Sequence, residues 1–178
     1  ISIGAALRPC SGATILIFFR KGGAAVFQIG DLVCYPMHGV GVVESIEEQS
    51  VLGETAQYYM LRFVMGRMTA MVPVASADAV GLRPLVDSES CSRVVRFLAE
   101  ESCSDDWNQR YRDNLDKLRA GDIFAVADVV KCLIRRDREK GLSTGERKMY
   151  QTARQVLLAE LAASSGKEES EFLPLVGG

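Results

Sequence analysis

The hydrophobic period of this 178-residue chain changes once along its length, and that change limits the fold more than any single residue does. From Phe27 to Pro73 apolar residues come in short alternating runs of the strand type; from Asp87 to Leu161 they recur every three or four residues, as on the buried face of a helix. Strands gathered toward one end and helices toward the other predict an α+β architecture.

In the strand part, Leu32 to Tyr35 and Val40 to Ile46 are separated by Pro36, Gly39 and Gly41, residues that supply a fixed φ, a positive φ and close backbone approach. Farther on, Tyr58, Met60 and Arg62 alternate with Tyr59, Leu61 and Phe63 over the two faces of a longer strand. Turns are expected at Val51 to Glu54 and Met65 to Arg67, and a strand from Met68 to Val72 ends at Pro73. Five short strands in about 55 residues, with Gly and Pro at the joints, predict a Tudor-like or SH3-like β-barrel.

A compact all-helical C-terminal domain should follow. Asp87 or Ser88 caps a first helix that carries Val94, Val95 and Leu98 on one face and ends near Ser102. Ser104, Asp105 and Asp106 suit the start of a second, whose stripe is Trp107, Tyr111, Leu115 (or Asn114) and Leu118, with Gly121 as its stop. Asp122 opens a third, with Ile123, Val126, Ala127, Val130 and Ile134 inward, and Gly141 closes it. Ser143 and Glu146 have the spacing of a capping box ahead of the stripe Met149, Ala153, Val156, Leu157 and Leu161. The chain therefore divides into a leader of uncertain structure at 1–26, a barrel at 27–84, a helical domain at 85–163 and an acidic, flexible tail at 164–178, in which Phe172 to Leu175 docks or stays loose.

Neither a signal peptide nor a membrane span is read in the leader. The apolar run Ile15 to Phe19 is too short to cross a bilayer, and its basic pair, Arg20 and Lys21, follows the run instead of preceding it. The formal net charge of -2 argues against indiscriminate coating of nucleic acid. It conceals a gradient, because twelve Lys or Arg against seven Asp or Glu lie between Trp107 and Arg154.

Catalytic and metal chemistry find little support. Cys10, Cys34, Cys91, Cys103 and Cys132 have no CxxC spacing and only one His to join them, so free thiols in a reducing cytoplasm are expected, with no metal site and no cofactor. His38 lies four residues from Cys34 but lacks an evident orienting group, and a turn histidine is the better reading than a nucleophile pair. No catalytic residue is assigned. Trp107 admits two readings of equal weight: a core anchor, or an exposed wedge that packs against a distorted base step while Gln109, Arg110 and Arg112 hold the backbone. Arg135, Arg136, Arg138, Lys140, Arg147 and Lys148 would extend a phosphate-contacting surface, or simply complement helix ends and keep the protein soluble.

Several stretches, in consistent order, carry a family likeness. They are Ile29-Gly30-Asp31-Leu32-Val33-Cys34-Tyr35-Pro36-Met37-His38-Gly39-Val40-Gly41, Gly53-Glu54, Tyr58-Tyr59-Met60-Leu61, Met71-Val72-Pro73 and Val80-Gly81-Leu82-Arg83. Trp107 to Leu118, Gly121-Asp122, Arg135-Arg136-Asp137 and Lys140 to Met149 continue them. The chain resembles the CarD family of bacterial transcription regulators, also called the CdnL family. The resemblance implies a Tudor-like domain that binds the β subunit of RNA polymerase, and a helical domain that contacts promoter DNA through the minor groove, largely independent of sequence, at the upstream edge of the melted region. It further implies a cytoplasmic monomer, associated with the nucleoid through polymerase, that stabilises the open complex. The family's wedge Trp falls on Trp107, with Arg110 and Arg112 at its basic neighbours. Its polymerase-facing positions fall on Gln49, Arg62, Arg67, Met71 and Pro73, and some relatives carry Arg near Gln49 and Met71. An SH3-like adaptor for RNA or protein, without promoter activity, is the alternative.

Overall fold

The computed structural model describes residues 27–51, 54–64, 68–100 and 107–177, apart from the side chains of 51, 54 and 107–110. Five strands come first: β1 (Leu32–Tyr35), β2 (Gly39–Val51), β3 (Glu54–Phe63), β4 (Thr69–Pro73) and β5 (Arg83–Pro84). Four helices follow: α1 (Ser88–Ala99), α2 (Trp107–Ala120), α3 (Ile123–Lys140) and α4 (Thr144–Ser165). The α+β expectation holds, and the strands form one sheet in the order β4-β3-β2-β1-β5.

Cα packing divides the chain into two units. The described part of the first comprises residues 27–33 and Gly41–Pro84, whereas Cys34–Val40 groups with the residues from Leu85 onward. A boundary drawn at 84/85 thus misses the tip of the first hairpin. Residues that punctuate a turn reveal that the chain reverses there, but not which element it will meet.

Within the first unit, β2 and β3 pair antiparallel, and so do β3 and β4. The β2–β3 register runs Val43↔Leu61 and then Ser45↔Met60, which leaves Glu44 as an extra residue. Such a bulge re-aims the strand beyond it and increases its twist. Val43, Tyr59, Leu61, Phe63 and Val72 fill the interior. Phe27 closes one end: its backbone N–H donates to Tyr59 Oη at 3.1 Å, and the two rings meet edge to face at 5.7 Å.

The second unit is built on α3 and α4. Asp87 caps α1 by accepting from Ser90 N at 2.7 Å, and Asp122 caps α3 by accepting from Ala125 N at 2.9 Å. The capping box of α4 is complete, with Ser143 N donating to Glu146 Oε2 at 2.8 Å and Glu146 N donating to Ser143 Oγ at 3.4 Å. Val94, Val126, Val130, Ala153, Leu157 and Leu161 lie at the centre of the core. Met37, from the hairpin tip, packs against it.

Three sequence expectations change here. α1 ends at Ala99, three residues earlier than expected. Beyond Ser165 the chain is not a loose tail: turns at Glu169–Glu171 and Leu173–Val176 bring Phe172 and Val176 into the core, and Val176 O accepts from Tyr150 Oη at 2.5 Å and from Arg154 Nε at 3.2 Å. A high density of Glu hid two apolar residues spaced to dock together. Among the described residues Cys34 and Cys91 are free thiols, but Cys132 is disulfide-bonded. Spacing along the chain cannot reveal a pair that only tertiary folding brings together.

Candidate partner and nucleic-acid interfaces

Period-2 alternation and register decide which side chains share a face of the sheet. Met60 stands opposite Met71, Tyr58 opposite Pro73 and Arg62 opposite Thr69, while Gln49 stands opposite Ala56. Since Ala56, Tyr58, Met60 and Arg62 alternate with buried Tyr59 and Leu61, all of these residues line the outward face. Four of the expected partner-facing residues, Gln49, Arg62, Met71 and Pro73, are therefore brought to one surface. They are spread along it, because the partner of Gln49, Ala56, lies six positions before Arg62 on β3, roughly 20 Å of strand. Arg67 lies outside the described residues.

Met71 of β4 is 47% exposed on this face, and Val64, just past β3, and Met68, just before β4, are exposed as well. β4 is also the last strand in the order, so one of its hydrogen-bonding edges has no neighbour among the described residues. An exposed edge with apolar side chains can accept an added strand. Two of the polar partner-facing side chains are engaged within the sheet: Arg62 pairs with Glu44, and Gln49 Nε2 donates to Glu47 Oε2 at 3.1 Å.

The helical cations separate into two groups. Trp107, Asn108, Gln109 and Arg110 form the first turn of α2, and their side chains are outside the described set. One turn on, Tyr111 is 48% exposed instead of buried, and a Cβ placed on Gly145 would stand 3.6 Å from its hydroxyl. That contact brings Arg112 of α2 to the same end as Arg147 and Lys148 in the first turn of α4, all three exposed. Lys140 ends α3 nearby, before the short connection to α4. Arg136 is not offered to solvent in the same way: its Nε lies 2.9 Å from Glu146 Oε1, a carboxylate only 6% exposed. It ties α3 to the start of α4.

Arg135 and Arg138 lie on another flank of α3. Together with Lys131 they line a groove walled by Leu98 of α1 and by Pro174 and Leu175 near the C-terminus. Lys131 stood out in no sequence pattern. Its ammonium donates to Phe97 O at 2.8 Å and lies 4.3 Å from the Phe97 ring centroid.

Cys34 and His38 have separate engagements. Cys34 Sγ donates to Glu160 Oε2 at 3.5 Å inside the helical unit, whereas the His38 ring stacks on Tyr35 at 5.1 Å. Both arrangements suit a scaffold turn. Among the described residues no group of three or more His, Cys, Asp or Glu is arranged to hold a metal, and no helix is long and apolar enough to cross a membrane.

Two family models match consecutive parts of the chain: the CarD-like/TRCF RID domain over residues 27–86, and the CarD C-terminal domain over residues 93–176. A curated relative from Bacillus subtilis (strain 168), named "Putative transcription factor YdeB", is 37% identical over 149 residues, which is 83% of this chain and 97% of that protein. The chain belongs to the CarD family. A solved structure titled "CdnLNt from Myxoccoccus xanthus" is 34% identical, covers 38% of this chain and 94% of its own, and has a TM-score of 0.30. The first CarD-family match begins at Phe27, the residue bonded to Tyr59. The second runs to Val176 and so takes in the docked C-terminal turns.

Two contributors escaped the sequence reading. The role of Lys131 had no signal, because a Lys in the middle of an apolar helix stripe reads as an ordinary exposed residue. Thr69, opposite Arg62, was accessible in principle by pairing the alternation of β3 with that of β4.

Proposed function

We propose that this CarD-family chain is a transcription regulator that binds the β subunit of RNA polymerase with the outward face and outer edge of β4, and contacts promoter DNA with the end of the helical unit where α2 and α4 begin. The observation that carries the reading is the succession of both family domains along one chain, the RID type followed by the CarD C-terminal type. Exposed Met71, on an edge with no strand neighbour among the described residues, supports the first contact, since main-chain hydrogen bonds supply affinity and alternate side chains supply selectivity.

For the second contact, Trp107 is the wedge, flanked by Gln109, Arg110 and Arg112, with Lys140, Arg147 and Lys148 as phosphate partners. Arg136 acts indirectly, by holding the start of α4 through Glu146. Tethering to polymerase raises the local concentration of this surface at the promoter, so a weak and sequence-tolerant grip is sufficient. The grip shifts the closed-to-open equilibrium only by its difference in affinity for the two states.

The test is a pair of measurements on one variant. Trp107→Ala should still be captured by the polymerase β subunit, while the lifetime of the open complex falls by about tenfold, as expected for loss of roughly 1.4 kcal/mol of differential binding. An unchanged lifetime removes the wedge. Failure of the wild-type chain to bind β removes the polymerase contact and leaves an adaptor.

A further inference from the structure

On the flank of α3 that carries Lys131, Arg135 and Arg138, a groove of about 490 Å3 opens beside the last turn of α1 and the Leu173–Val176 turn. This volume falls within the roughly 300–1,000 Å3 range of small-molecule sites. Its lining is of two kinds. Among the described lining residues, Leu98, Ile134 and Leu175 are apolar, and Glu100 is the one acid beside the three cations.

Lys131 gives the groove its character. The residue is 9% exposed and its ammonium is already oriented by Phe97, through the carbonyl at 2.8 Å and the ring at 4.3 Å. One of its three N–H donors is used on that carbonyl, which also offsets the negative pole at the end of α1. A cation fixed in a partly desolvated place attracts an anion more strongly than one in bulk water. Arg135 is partly committed, with Nε 3.4 Å from Glu139 Oε1, and Arg138 is exposed. A concave site of this size excludes a nucleic-acid duplex, and its apolar walls would be wasted on a bare inorganic anion.

We propose that this groove binds a small amphiphilic carboxylate of the medium-chain acyl type. The chain lies along Leu98, Ile134 and Leu175, and the carboxylate meets Lys131, Arg135 and Arg138. The site is independent of the polymerase and promoter contacts, which use other elements or another flank of α3.

The test uses the full chain and decanoate below its micelle concentration, followed by amide chemical shifts. Saturable changes are expected at Leu98, Ile134 and Leu175, with binding at least about tenfold weaker for 1-decanol and for acetate, which each lack one half of the ligand. Arg138→Gln, at an exposed position, should weaken decanoate by several-fold, and Lys131→Met by about tenfold or more, its folding checked by a thermal melt. Shifts scattered over the surface, decanol binding as tightly as decanoate, acetate matching it, or an Arg138→Gln variant with unaltered affinity would each overturn the proposal.

Discussion

Gly121 answers to two independent demands. Its φ of +71° lies in the left-handed region, and a Cβ there would come within 2.7 Å of Pro36 Cγ. Gly141 provides the comparison, with a similar φ of +74° and nothing within 4 Å of a built Cβ. Gly141→Ala, at φ +74° and ψ 162°, should cost about 1–3 kcal/mol from backbone strain alone, whereas Gly121→Ala adds to its own strain an overpacking term of about 1–3 kcal/mol. Urea unfolding of the two variants checks this, and equal losses would show that Pro36 yields without strain. The sequence marks both glycines as helix stops, which is the part of their role that local chemistry dictates. The Pro36 contact spans 85 positions and leaves no local trace.

The first turn of α4 carries two separable functions. Ser143 serves only the cap, whereas Glu146 both closes the capping box and pairs with Arg136. Ser143→Ala should lower stability by about 1 kcal/mol. Glu146→Gln keeps an amide oxygen for Ser143 N but removes the carboxylate charge beside the Arg136 guanidinium, which is 22% exposed, and should lower stability by more than Ser143→Ala does. Guanidinium chloride midpoints would rank the pair, and the reverse order would make the ion pair dispensable. At this scale much was legible. The caps at Asp87, Asp122 and Ser143 follow from side-chain oxygens that reach backbone N–H groups within three residues, and the outward set Tyr58, Met60 and Arg62 follows from alternation. Which cations work together was not legible. Arg135 and Arg136 are adjacent in sequence yet about 100° apart around a helix, so one lines a groove and the other grips Glu146. The extra residue at Glu44 was equally hidden, since a bulge depends on the partner strand's register.

At the scale of the molecule, two groups among the described residues of the helical unit couple pH to folding. Burial raises the Cys91 thiol above its ordinary value of 9.0, with Glu160 adding to the effect and Lys167 opposing it. Burial likewise raises Tyr150 above 10.0, opposed by Arg154 and aided by Asp137. The folded state thus keeps protons that the unfolded chain releases, and their stabilising contribution is complete below about pH 9 and is lost as pH rises through the folded values. Urea midpoints should fall between pH 8 and pH 11, and Tyr150→Phe should flatten the upper part of that decline; an unchanged slope would assign it to other groups. Cys34–Val40 packs with the helices, so the helical unit is encoded by two separated stretches of the gene. A crossover between residues 84 and 85 would hand on Gly121 and Val156 without the Pro36 and Gly39 that fit against them. Exchange of halves between family members should therefore succeed only where the first hairpin travels with the helices, or where both parents carry the same residues at its tip.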